Sequence, residues 1–344
     1  MTRKTAVVIC PGRGTYTKAE LGYLRRNFAD KALLAGFDAT RVALGQETLS
    51  ALDGSAAYSV ARHTRGDNAS GLIYACTLGD FRAIARDRIE VVAVTGNSMG
   101  WYSALACGGA VTADGGFALV NTMGTLMQES LIGGQLIYPF VGEDWAPDPA
   151  RRAALMQLIG EIGARPDHAL MLSIDLGGML VLAGNDAGLA AFEGMVPPLQ
   201  GRFPMRLTNH AAFHSALQAS VAALGRARVS AEIFSQPTLP LVDGRGTIWW
   251  PGATDSRALW DYTLGHQVTE TYDFTHAIRT AAREFAPDLF IVTGPGTTLG
   301  GAVAQSLILA NWRNLRTKAD FQSLQETAPI LASMGMDDQR ATVI

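Results

Sequence analysis

Ser98 stands in Gly-Asn-Ser-Met-Gly (96–100), between the apolar run VVAVT and the small-residue stretch WYSALACGGA. A serine becomes a nucleophile when a sharp strand-to-helix turn lifts its hydroxyl clear of the backbone at a helix N-terminus. Gly96 and Gly100 would let strand and helix approach without side-chain clash. A Gly-x-Ser-x-Gly match is weak in a chain with 37 glycines, and the competing reading is a tight turn with Ser98 as an ordinary cap. The flanking strand and helix patterns favour the nucleophile. It then needs a base.

Six histidines are available. His63 lies in the polar loop ARHTRGD, His168 follows Pro-Asp, and His276 sits inside a helical pattern; each reads as a solvated or capping histidine. His210 and His214 fall in RLTNHAAFHSALQ, where a small domain returns to a larger one, and inter-domain clefts are favoured positions for sites. Spacing alone does not choose between His210, His214 and His266.

The elements that must position these residues alternate. TAVVIC reads as a buried strand followed by a glycine loop, GLIYACTLGDFRAIA as a helix, IEVVAVTG as a strand, and GFALVNTMGTLMQESL as a helix. This is the pattern of an α/β domain with a largely parallel sheet. From about residue 132 to 208 the order becomes β-α-β-β-α-β, a split ferredoxin-like unit, with Asn185 or Asp186 capping its second helix. The expected fold is α/β: an α/β-hydrolase-like catalytic domain (1–131 and 209–344) with an inserted ferredoxin-like subdomain (132–208). The tail beyond about residue 318 is expected either to form a last helix or to stay loose.

Bulk properties narrow the function. With 344 residues, 48% hydrophobic and 17% charged, the chain can bury a substantial core. A net charge of −3 supplies no overall basic field for nucleic acid. The three cysteines, Cys10, Cys76 and Cys107, have no zinc-site spacing and fit a reducing compartment. MTRKTAVVICPGRG reads as a first strand rather than a signal peptide, and no apolar segment is long enough to span a bilayer. Cytoplasmic location is expected, with no metal. PGRGTY has only a partial glycine pattern, which disfavours a dinucleotide site.

Six short segments in order resemble the malonyl-CoA:acyl carrier protein transacylases and the acyltransferase domains of polyketide synthases: CPGRGTY, GNSMGWYSALACGGAVT, LVNTMGTLMQ, FHSALQ, HQVTETYDFT and VTGPGTTLGG. The resemblance covers nearly the whole chain. It implies Ser98 as the acylated nucleophile and His214 as its base, oriented by the backbone carbonyl of Gln267. It implies an oxyanion hole from the N–H groups of Arg13 and Met99, and it places Asn68 near the acyl pocket. No permanent cofactor is implied; acyl-CoA is the substrate and an acyl carrier protein the partner, in fatty acid or polyketide biosynthesis. Arginines in ARHTRGD and FRAIARDR are candidates to receive such an acidic partner, against the alternative of a solvated surface with scattered charge.

Two pocket positions depart from the family. Asn97 replaces the usual histidine before the nucleophile, and Met123 aligns with the arginine that clamps a malonyl carboxylate. Trp101 also replaces a glutamate. A methionine offers a carboxylate only a weak sulfur and apolar surface, so an apolar pocket for acetyl or another uncharged acyl group is expected. Arg13 is the escape from that expectation, as a substitute cation, with Arg206 a poorer one. Alternatives to acyl transfer are hydrolysis of acyl groups from carrier proteins on the same site, and a non-catalytic protein that binds acyl groups or carrier proteins.

Overall fold

The computed structural model describes residues 3–344. Its strands are β1 Lys4–Cys10, β2 Ile89–Gly96, β3 Gly134–Pro139, β4 Leu170–Leu176, β5 Met179–Gly184, β6 Met205–Arg206, β7 Leu241–Val242, β8 Ile248–Trp249, β9 Tyr272–Asp273, β10 Leu289–Val292 and β11 Leu331–Ser333. Residues Ala6 to Cys10 are wholly unexposed. Such an uninterrupted apolar run belongs to a strand covered on both faces, as in parallel sheets flanked by helices.

The larger sheet has the order β11-β10-β1-β2-β7-β8 and is parallel except for the β7–β8 pair. The β1–β2 register sets Cys10 opposite Gly96. The two strands therefore release their loops side by side, one carrying Arg13 and the other Ser98. Sites of open α/β sheets form at this carboxyl edge.

The second sheet has the order β6-β3-β5-β4-β9. β3, helix Pro149–Gly163, β4, β5, helix Asp186–Met195 and β6 follow the β-α-β-β-α-β order, and Asn185 caps the second helix by accepting from Gly188 N. A separate apolar core, including Tyr138, Ile159, Leu182 and Phe192, lies under this sheet. β9 pairs with β4 in parallel and directly follows the short helix His266–Thr269. The segment carrying Gln267 is thus tied to the small sheet.

The tail is ordered as a helix, Lys318–Thr327, and then as an edge strand, β11, which extends the large sheet beside β10. Neither sequence expectation for it included a strand, because three residues are too few to display a period. Buried Arg340 closes the tail through an ion pair with Asp80, whose other oxygen accepts from Tyr23 Oη and Gly294 N. Among the described residues no helix is long and apolar enough to cross a membrane.

Candidate active site

Ser98 occupies the left-handed region, with φ 55°. A non-glycine residue held there stores about 1–3 kcal/mol of strain and persists only where its surroundings enforce it. Here close packing enforces it. A side chain on Gly100 would strike the carbonyl of Cys10, and one on Gly96 would strike the backbone of Gly100. The helix Gly100–Cys107 begins directly after the turn, and the Ser98 hydroxyl is aimed into the cleft.

His214 meets it there. Ser98 Oγ lies 2.7 Å from His214 Nε2, and His214 Nδ1 donates to the Gln267 carbonyl at 2.6 Å. The carbonyl fixes the tautomer, because an acceptor at Nδ1 leaves the proton there and the lone pair on Nε2. His214 is buried and its pKa is pushed down to about 4 by desolvation, only partly countered by the Gln267 carbonyl. The imidazole is therefore neutral at pH 7 and able to accept a proton. Gln267 ties the assembly a second time: its Nε2 donates to the Ser98 carbonyl at 3.0 Å and its Oε1 accepts from Tyr102 Oη at 3.1 Å. His214 also has positive φ, 52°. The preceding residues hold it in place through Ala212 N on Ile132 O and Ser173 Oγ on Phe213 O.

The cavity at Ser98 is about 20 Å³ and is lined by Arg13, Ser70, Met99, Tyr102, Gly124, Met127, Phe213, Val268 and the Ser98–His214–Gln267 group. That volume admits about one water-sized group. Arg13 and Met99 both line the cavity, and neither backbone N–H donates to an acceptor among the described residues. A far larger cavity, about 900 Å³, opens beside β11, but no histidine or cysteine lines it. The serine–histidine pair lies in the small one.

The structure does not bring the remaining pocket candidates together with Ser98. Met123 is fully buried and packs against Gly225 of the helix Ala219–Arg228, away from the cavity. Asn68 is occupied in a structural network, accepting from Arg41 Nη2 at 2.6 Å and donating to Arg62 O at 3.0 Å. Asn97 lies beneath the Gly12 loop, its N–H bonded to Cys10 O at 2.9 Å. Met127, Phe213, Tyr102 and Val268 form the apolar wall instead; nothing in the sequence singled them out, since an apolar residue in a helix or loop looks the same whether it faces core or cavity. Trp101 is buried, donating to Thr263 Oγ1 at 3.0 Å.

The other histidines have ordinary partners. His210 Nδ1 meets Gln135 Oε1 at 2.8 Å, His63 stacks on Tyr58 with both ring nitrogens on backbone groups, and His266 stacks on Tyr262. His168 Nδ1 lies on Pro166 O, and His276 accepts from Arg279. Of the five arginines considered for a docking patch, three are ion-paired: Arg62 with Glu47, Arg65 with Asp67 and Arg82 with Asp30. Arg206 pairs with Glu193 and Asp186.

No protein-family model matches the sequence, and no curated protein does. Solved structures do match in three dimensions. A malonyl-CoA:ACP transacylase of Synechocystis superimposes with a TM-score of 0.74 at 17% identity, covering 99% of this chain and 100% of that one. An acyl-carrier-protein S-malonyltransferase of Burkholderia pseudomallei gives 0.73 at 20%, with 98% of each chain covered. A malonyl-transacylase solved in complex with its type II PKS acyl-carrier protein gives 0.73 at 18%, again with 98% of each chain. Over essentially its full length, this chain has the fold of the malonyl-CoA:acyl carrier protein transacylases.

Proposed function

We propose that the protein is an acyltransferase that carries an acyl group from coenzyme A to the phosphopantetheine thiol of an acyl carrier protein, through an ester on Ser98. The observation that carries this reading is the Ser98–His214–Gln267 chain, with its 2.7 Å and 2.6 Å contacts. In the first half-reaction His214 Nε2 takes the Ser98 proton as Oγ attacks the thioester carbonyl. Negative charge gathers on the carbonyl oxygen and is received by the Arg13 and Met99 N–H groups. The intermediate collapses, the C–S bond breaks, and His214 returns the proton to the departing coenzyme A thiolate. In the second half, the carrier thiol gives its proton to His214 and attacks the serine ester. Collapse breaks the C–Oγ bond, and His214 reprotonates Ser98.

A backbone carbonyl suits the orienting role, because it fixes the imidazole without adding a buried carboxylate. The small cavity favours a short acyl group, and longer chains require Met127 or Phe213 to move. The fold shared with a malonyl-transacylase bound to its carrier protein supports the choice of acceptor. Product analysis tests the reading: acyl-CoA incubated with the enzyme should yield acyl carrier protein when a phosphopantetheinylated carrier is present, and only slow release of free acid when it is absent. Equal acid release in both conditions would make it a hydrolase. No acylation of Ser98 from any donor would leave a binding protein.

A further inference from the structure

His214 ends a segment that leaves β6 and reaches Ser98, and the residues just before it, His210 to Phe213, are gripped from the small sheet. The grip is a chain of side chains. His210 Nδ1 donates to Gln135 Oε1 at 2.8 Å, Gln135 Nε2 donates to Ser173 Oγ at 2.6 Å, and Ser173 Oγ donates to Phe213 O at 2.7 Å. The last acceptor fixes every proton in the chain. A carbonyl only accepts, so the Ser173 proton points at Phe213. Ser173 must then receive from the Gln135 amide, and Gln135 turns its oxygen to His210, whose proton sits on Nδ1. The chain therefore starts and ends on one segment, at His210 and at Phe213.

Two strands are shaped to hold it. Ser173 stands at a break in the β4–β5 register: Leu172 faces Leu182 and Ile174 faces Val181, which leaves Ser173 as the extra residue of a bulge. Bulges re-aim a side chain and are frequent beside active sites. Gln135 belongs to β3, on the far side of β5, where its opposite residue is Ala183; a methyl group there leaves room for the amide to cross. Gln135 and Ser173 are 2% and 0% exposed, and polar groups so deeply buried are costly unless bonded. Neither lines the cavity at Ser98. The peptide joining Phe213 to His214 has no other hydrogen bond among the described residues, while His214 itself holds a φ of 52°, a conformation that persists only where its surroundings impose it.

We infer that Gln135 and Ser173 are positioning residues for the base: they clamp the segment His210–Phe213 so that His214 Nε2 meets the Ser98 hydroxyl. The small domain thus serves the reaction without touching the substrate. This rests on the acyltransferase reading above and adds to it the source of the base's geometry: Gln267 orients the imidazole ring, and the bulge at Ser173 sets the backbone that carries it.

The test follows Ser98 acylation by intact-protein mass spectrometry, with acetyl-CoA and malonyl-CoA each at a series of concentrations. Ser173→Ala should lower the limiting rate by roughly tenfold or more and leave the half-saturating donor concentration unchanged, because a small displacement of the base is costly while donor binding is untouched. Ser173→Thr, which keeps the hydroxyl, should restore most of the rate. Gln135→Leu should lose only about threefold, since Ser173 keeps its own bond to Phe213. The double variant should be no slower than Ser173→Ala, because Gln135 acts through Ser173. A folded Ser173→Ala protein with the wild-type limiting rate, a change confined to the half-saturating concentration, or losses that multiply in the double variant would overturn the clamp while leaving acyl transfer intact. Absence of any adduct on wild type overturns the acyltransferase reading itself. If Ser173→Ala does not fold, Gln135→Leu decides alone, and an unchanged limiting rate there overturns the assignment.

Discussion

The two walls of the cleft at Ser98 are built on different principles. On one wall, Ser98, His214 and Gln267 are set by the backbone: a left-handed turn, two glycine contacts that admit no side chain, and a carbonyl that fixes the imidazole. On the other, Arg13, Met127, Phe213 and Val268 are set by what packs behind them. Backbone constraints allow few residue types and leave a pattern. Packing constraints allow many and leave none.

Substitutions can sharpen this contrast. His214→Ala should lower the rate of acyl-enzyme formation by roughly 10³ or more, since no other base reaches Ser98. In wild type that rate should stay flat as pH falls through the ordinary histidine range and decline only near pH 4, because a protonated Nε2 cannot accept the serine proton and burial pushes the His214 pKa to about 4. An acid limb near pH 6.5, the unperturbed histidine value, would show that the imidazole is more solvated than its packing implies.

Met123→Ala probes the other wall. As a fully buried side chain off the cavity, Met123 should contribute about 2–5 kcal/mol to stability, measured by denaturant unfolding, with donor preference unchanged. A changed preference would return Met123 to the pocket. Gly100→Ala should cost about 1–3 kcal/mol by forcing the turn off Cys10 O. Gln267→Ala keeps the carbonyl on His214 but removes the side-chain bonds to Ser98 O and Tyr102. It should slow acylation by only about fivefold, near 1 kcal/mol, and a loss as large as that of His214→Ala would move the orienting role from backbone to side chain.

The contrast also explains what was legible in the sequence. The turn at Ser98 could be read because its strand, glycines and helix are contiguous. His214 could not be chosen over His210 or His266 by spacing, since its approach depends on where the chain returns from the small sheet. The resemblance made that choice, and the structure brings His214 to Ser98. Met123 and Asn68 illustrate the limit of aligned positions. Gly124 and Met127 line the cavity, while Met123, one turn before Met127 on the same helix, is taken up by packing against Gly225 of a neighbouring helix. Asn68 is claimed by buried Arg41, a partner 27 residues away. β9 and β11, with two and three residues, are too short to carry a period, yet one joins the sheets' neighbourhoods and the other completes an edge.

The most direct measurement is the location of the acyl group after brief exposure to malonyl-CoA, by peptide mapping of wild type and of Ser98→Ala. One ester on the peptide containing Ser98, absent from the variant and discharged by a carrier-protein thiol, is the outcome expected from the geometry. Acyl groups spread over other residues, or retained in Ser98→Ala, would contradict it.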